Sequence, residues 1–223
     1  VTPSSGPAPA ARSGHAMAFD PIRNKVLVHG GGSGPAYAHL RDTWEWDTAS
    51  RSWAYMVNGD ISGGSIGLVG PVMSFDPNRN QVILFGGRRT SCCDAKTYAW
   101  NGNNWIDISP TISPSGRAFH MMATDTARSK VVLFGGWQGG NLQDTWEWDG
   151  SSWTYIPTAT KPAERHLSGF SYDSDRGLMV LFAGWSGYNQ GYPWNDTWTY
   201  DGQNWTQQQP CDLPSIRSSM AMA

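Results

Sequence analysis

An all-β chain folded as a β-propeller, with four complete four-stranded blades and one surplus strand at the C-terminal end, is what this sequence predicts on three recurring features. First, an apolar run closes on glycine, as Val26-Leu27-Val28-His29-Gly30-Gly31, Val82-Ile83-Leu84-Phe85-Gly86-Gly87, Val131-Val132-Leu133-Phe134-Gly135-Gly136 and Val180-Leu181-Phe182-Ala183-Gly184. Second, a polar-aromatic segment follows, as Asp42-Thr43-Trp44-Glu45-Trp46-Asp47, Lys96-Thr97-Tyr98-Ala99-Trp100-Asn101, Asp144-Thr145-Trp146-Glu147-Trp148-Asp149 and Asp196-Thr197-Trp198-Thr199-Tyr200-Asp201. Third, a lone tryptophan ends each unit: Trp53, Trp105, Trp153 or Trp205. The unit recurs every ~50 residues, within the range of propeller blades.

Each unit divides into antiparallel strands a to d. In the first unit they run near 14–19, 25–30, 43–47 and 52–57. Between a and b stand D-P-I-R-N-K, D-P-N-R-N-Q, D-T-A-R-S-K and D-S-D-R-G-L, a tight-turn composition in which an Asp side chain bonds the backbone amides that follow it. Asn101-Gly102, Asp149-Gly150 and Asp201-Gly202 mark equally short turns between c and d. Strand b is an unbroken apolar run, as expected of a strand buried on both faces. Strand c alternates, which sets Glu45 and Glu147 at outer positions beside inward tryptophans. The glycine pair lets the backbone leave strand b and admits a neighbouring ring. The repeated indoles at 44, 46, 53, 105, 146, 148, 153, 198 and 205 are read as filling the wedges between blades, each contributing on the order of 2–3 kcal/mol. The blades are placed at 12–59, 66–110, 116–157 and 164–208. A Pro/Ser/Ala-rich extended arm, 1–11, precedes them, and an additional strand a, 215–223, follows.

These motifs resemble kelch repeats over nearly the whole chain. The resemblance implies a kelch-type propeller; it is specific for fold and almost silent on function. Copper enzymes similar to galactose oxidase carry their metal on such a propeller through Tyr, His and a Tyr–Cys crosslink. No constellation here matches those ligands residue by residue, so no cofactor and no metal are expected.

A repeated arginine opens the blades at Arg12, Arg117, Arg165 and Arg217, with Gly67 in its place in the second. Its expected role is to join neighbouring blades through backbone carbonyls or the recurrent Asp, with an anion site at the central channel as the alternative. Arg217 belongs to the segment 215–223, which repeats strand a. There are thus five copies of strand a against four each of b, c and d. Three arrangements answer the surplus: a piece of a larger propeller, four blades closing alone with the last segment added elsewhere, or pairing of the surplus strand with another subunit.

Composition narrows the partners. A formal net charge of −2 gives no reason to expect nucleic acid, and the apolar runs are strand-length, so no membrane insertion is expected. Val1 in place of Met points to a processed or excerpted chain. The low lysine content beside thirteen tryptophans is associated with secreted bacterial repeat proteins, hence an extracellular expectation. Cys92, Cys93 and Cys211 point to a structural disulfide in an oxidising compartment, either vicinal or reaching Cys211, since no spacing suits zinc. Asn195 and Asn204 begin N-x-[ST] sequons, but both overlap the repeat itself and read first as fold residues.

In a four-stranded blade the b–c and d–a connections emerge on one face, and there the lengths vary. The b–c connections supply Tyr37 and His39 (with Arg41), then Arg88 and Arg89, then Trp137 (with Gln138), then Trp185, Tyr188, Tyr192 and Trp194 (with Asn189 and Gln190). Trp137 and Trp185 follow the glycine turn directly and fall outside the repeated c and d positions. Rings beside amides and guanidinium suit a sugar face or a protein hot spot. His15, His29, His120 and His166 read as repeat or core positions, and the three glutamates are scattered, so no catalytic residues are named. The expected function is a non-catalytic extracellular interaction or assembly module, joined to itself or a protein partner by strand addition. The alternatives are a lectin-like carbohydrate binder and a domain of a larger secreted enzyme.

Overall fold

The computed structural model describes residues 7–57, 67–90, 93–186, 193–212, 214–219 and 222. Blade one contains β1 (Ala16–Asp20), β2 (Lys25–His29), a small hairpin of β3 (Gly32–Ser33) and β4 (Ala38–His39), β5 (Thr43–Asp47) and β6 (Ser52–Val57). Blade two is β7 (Val72–Asp76), β8 (Gln81–Phe85), β9 (Thr97–Trp100) and β10 (Trp105–Asp107). Blade three is β11 (Met121–Asp125), β12 (Lys130–Trp137), β13 (Asn141–Trp148) and β14 (Trp153–Ile156). Blade four is β15 (Gly169–Asp173), β16 (Leu178–Trp185), β17 (Pro193–Tyr200) and β18 (Trp205–Gln208). Each blade is one four-stranded antiparallel sheet in sequence order, so the all-β propeller arrangement holds. Among the described residues no helix is long and apolar enough to cross a membrane.

The hairpins form as their composition dictates. In the first a–b turn Asp20 Oδ1 accepts the amides of Ile22 and Arg23 at 3.0 and 3.1 Å, and Asn24 closes the turn at φ 53°. Asp76 and Asn80 repeat the device in blade two. Contrary to expectation, the guanidinium of the repeated arginine does not join neighbouring blades; it fixes strand a within its own blade, because the aspartate and carbonyl it meets belong to that blade. Arg117 is fully buried, holds both oxygens of Asp144 at 2.6 and 2.8 Å, and donates to the Gly135 carbonyl. Arg12 does the same to Asp42 and Gly30, and Arg165 to Asp196 and Ala183. Blade two lacks both members of the pair: Leu68, not the expected Gly67, takes the arginine's place, its carbonyl accepting Gly31 N as the Arg117 carbonyl accepts Gly87 N, and Lys96 stands at the aspartate's place.

Three apolar seams join the blades. Leu27 of blade one packs with Leu84, Tyr98, Trp100 and Trp105 of blade two. Ile83 and Phe85 pack with Val131, Leu133, Trp148 and Trp153, and Val132 and Phe134 with Met179, Leu181, Tyr200 and Trp205. Two details recur in every seam. The closing tryptophan donates its indole N–H to the threonine that opens the preceding strand c, and its ring meets the residue before the preceding glycine turn. These contacts are Trp105 with Thr43 and His29, Trp153 with Thr97 and Phe85, and Trp205 with Thr145 and Phe134.

Two further sequence expectations need correction. Glu45 and Glu147 are buried, not outer: Glu45 accepts the Trp100 indole N–H and pairs with Arg23, while Glu147 accepts the Tyr200 hydroxyl and pairs with Arg128. Alternation along strand c separates inside from outside only where one face meets solvent, whereas the faces of a blade meet neighbouring blades. Trp46 and Trp53 also differ from the buried tryptophans at equivalent places, being only half-buried, because among the described residues no blade packs in front of blade one.

The arc is open. Strands β1, β7, β11 and β15 pack in succession, yet β1 and β15 make no contact. A staircase of backbone bonds runs along the inner ends of the blades, from Gly70 N to Gly14 O at 2.8 Å, Phe119 N to Gly70 O at 2.8 Å, Leu167 N to Phe119 O at 3.0 Å and Ser219 N to Leu167 O at 2.9 Å. All five residues have φ between 56° and 68°. The fifth step belongs to the C-terminal segment, whose Arg217 carbonyl also accepts Gly184 N at 3.2 Å, as Arg165 O accepts Gly136 N in the blade before. Residues 217–219 therefore take the seat of a fifth strand a. Among the described residues the four blades make no contact that closes them on themselves.

Candidate functional site

The residues that follow the glycine turns, Gly32, Arg88, Trp137 and Trp185, occupy equivalent positions in the four blades. Each bridges to the start of its own strand a, at Ser13, Val69, Ala118 and His166. The residue directly before each of them is glycine, and the backbone demands it there. Gly136 and Gly184 have φ of 107° and 109°, and a Cβ there would lie 2.7 Å from His120 Cβ or 2.1 Å from Ser168 Oγ. The backbone thus leaves strand b at a fixed angle and projects the next side chain onto the face carrying the b–c and d–a connections.

On that face blades two, three and four enclose a cleft of about 500 Å³. Arg88, Trp137 and Trp185 line it, together with Phe119, Gly140, Asn141, Glu164 and His166. Both indoles are half-buried, and the ends of Arg88 and Glu164 are exposed, so a cation and an anion stand at an aromatic floor. Asn141 Oδ1 lies 2.8 Å from His166 Nδ1. With the amide oxygen as acceptor, Nδ1 carries the proton and Nε2 remains an acceptor. Burial lowers the His166 pKa below its ordinary 6.5, so the ring is neutral at pH 7. The cleft therefore offers two ring faces, an amide, an imidazole acceptor and a guanidinium donor.

The structure brings together Arg88, Trp137 and Trp185 and sets the other described candidates elsewhere. Arg89 turns back to Asp94 at 2.6 Å and buttresses its own loop. Trp194 lies over the Arg165 guanidinium, 4.9 Å from ring centroid to Cζ, with its indole N–H buried and unpartnered among the described residues. Tyr37 covers Gly32, where a Cβ would meet its ring at 2.6 Å, so blade one places an aromatic over its glycine from the β3–β4 hairpin instead of from the turn. His39 meets Tyr37 edge-on at 6.5 Å. Tyr188, Tyr192 and Cys92 lie outside the described residues. Cys93 Sγ is 3.6 Å from the Trp137 carbonyl oxygen, and Cys211 is exposed, with no disulfide to it among the described residues. Asn195 is half-buried within β17, whereas Asn204 is exposed at the c–d turn, its amide bonded to Asp201.

Phe119, Asn141, Glu164 and His166 were not singled out as lining a cleft with the indoles. The signal was available: Glu164 and His166 flank the blade-four arginine on a d–a connection, which emerges on the same face as the b–c loops. A second, more open space lies on the propeller axis, lined by Met17, Met73, Met122, Phe170 and Met222, one residue from each copy of strand a. Among the described residues no group of three or more His, Cys, Asp or Glu is arranged to hold a metal ion.

Comparison with protein-family models gave no match, and comparison with curated protein sequences gave none either.

Proposed function

We propose that this chain is a non-catalytic, extracellular kelch-type interaction module that binds carbohydrate in the cleft between blades two, three and four. One observation carries the reading: Trp137 and Trp185, from neighbouring blades, share an open cleft with Arg88, Asn141 and His166. The C–H face of a pyranose stacks on an indole, while amide, imidazole and guanidinium bond its hydroxyls. The glycine-pair and tryptophan repeats support the kelch assignment, and the tryptophan-rich, lysine-poor composition supports secretion.

Calorimetric titration of neutral and acidic oligosaccharides tests the reading. Saturable binding to one class, weakened about tenfold or more by Trp137→Ala and by Trp185→Ala, is expected, since a lost stacking contact and its desolvated pocket are worth more than 1.4 kcal/mol. Binding unchanged in both variants, or none to any glycan, would transfer the cleft to a protein partner.

A further inference from the structure

We propose that two copies of this chain join head to tail, blade four of one against blade one of the next, by remaking the seam that already joins the blades within a chain. The inference concerns a surface remote from the cleft and stands independently of the carbohydrate reading.

The trailing face of a blade presents a threonine, a ring before the glycine turn and an apolar residue two positions earlier. In blades two and three these are Thr97, Phe85 and Ile83, and Thr145, Phe134 and Val132, all at most 1% exposed. Their counterparts in blade four are Thr197, Phe182 and Val180, and all three are only half-buried. The leading face presents the closing tryptophan and the second aromatic of strand c, which are buried in blades two to four. In blade one these are Trp53 and Trp46, and both are half-buried. Trp53 has its ring on Trp46 at 5.4 Å, but among the described residues its indole N–H lacks the threonine that Trp105, Trp153 and Trp205 each have. One molecule thus carries both unfilled halves of an interface that it makes three times internally. Heterologous faces of this kind join copy to copy without using themselves up.

The C-terminal segment sets the register. Residues 217–219 already occupy the strand-a seat on blade four, so the copies join by strand exchange. The incoming copy's β1, with Arg12, leaves β2 and Asp42, its b, c and d strands add there, and this segment takes the place of β1. Arg217 then stands where Arg12 stood. In the single chain its guanidinium meets only Ser215 among the described residues, whereas Arg12, Arg117 and Arg165 each grip the aspartate just before the strand-c threonine. Asp42 of the second copy, released from its own Arg12 by that exchange, supplies the carboxylate.

Sedimentation of the whole chain over a range of micromolar concentrations tests the proposal. The wild type should give masses that rise with concentration in steps of 24.5 kDa. Thr197→Arg, which blocks the trailing face, and Trp53→Ala, which empties the leading face, should each remain at 24.5 kDa. Arg217→Glu should lower the wild-type association at least tenfold. Because each blocked variant keeps one intact face, an equimolar mixture of Thr197→Arg and Trp53→Ala should stop at a dimer of about 49 kDa, twice 24.5 kDa. That restored dimer also shows that both variants fold. A wild type at 24.5 kDa at every concentration, association that survives both blocking substitutions, or a mixture that gives no dimer overturns the proposal.

Discussion

Trp153 Nε1 donates to Thr97 Oγ1 at 2.8 Å across the seam between blades two and three, tying the last strand of one blade to the third strand of the blade before it. Both groups are buried, so the bond satisfies a donor that water cannot reach.

Thr97→Val tests that bond. Valine keeps the shape and removes the acceptor, leaving a buried indole N–H without a partner, a loss of about 1–3 kcal/mol. The same change at Thr197, whose seam is unfilled in the single chain, should alter stability by less than about 0.5 kcal/mol. Urea unfolding at a concentration where the chain is monomeric checks the pair. Equal losses at both sites would show that the threonine acts through its own blade and not across the seam.

The buried arginines give a second contrast. Burial by itself would raise the Asp144 carboxyl, but the Arg117 guanidinium and the Trp146 indole overcome this and hold it below the usual carboxylate range. Arg117→Ala strands that carboxylate and opens the Gly135 carbonyl, and should cost about 3–5 kcal/mol. Arg217→Ala, on an exposed side chain with no carboxylate partner among the described residues, should cost less than about 0.5 kcal/mol in the monomer. Unfolding midpoints of the two variants decide between a strand-anchoring role and a general one for this arginine.

Acid sensitivity follows from His29. Burial lowers its pKa from 6.5 to about 4, with Asp42 opposing and Arg12 reinforcing the shift. The unfolded chain therefore takes up a proton between pH 6.5 and 4 that the folded chain refuses. Stability from this group is complete above pH 6.5, declines as the pH falls toward 4 and levels off below, a loss of about 3 kcal/mol. His120, whose pKa burial also lowers well below 6.5, adds a loss of the same sign. Phenylalanine stands at the position of His29 in the other three blades, and His29→Phe should reduce the slope of stability against pH in this window by about 1.4 kcal/mol per unit. An unchanged slope would mean that His29 is protonated in the fold.

The fold was legible because every blade spells the same contacts in nearly the same residues. Glycine pairs, Asp-led turns and closing tryptophans each have one structural consequence, and four copies average out local noise. Two things were not legible. The burial of Glu45 and Glu147 depends on Trp100 and Tyr200, residues more than fifty positions away that meet them only after the blades stack. The cleft was half visible: Trp137 and Trp185 stood out as departures from the repeat, but Asn141 and His166 lie in the repeat and gain a role only from their place beside the indoles. Openness of the arc could not be read from a strand count, since a surplus strand a fits closure, a longer ring and self-joining equally.

Two glycines at the cleft separate backbone demand from surface contact. Gly184 has φ 109°, and a Cβ on it would fall 2.1 Å from Ser168 Oγ and 3.1 Å from the His166 carbonyl oxygen. The serine hydroxyl is itself held by the Ala183 carbonyl at 3.0 Å, so it cannot turn aside without losing that bond. Gly184→Ala should therefore cost about 1–3 kcal/mol from the backbone conformation alone. It should also displace Trp185, which follows directly, and so weaken glycan binding beyond what stability explains. Gly140 lines the same cleft, yet nothing lies within 4 Å of a Cβ placed on it. Gly140→Ala should leave the melting temperature within about 2 °C of the wild type. Melting curves and titrations of the two variants, taken together, test whether the glycine turn aims the indole: a stable Gly184→Ala protein with unaltered binding would show that it does not.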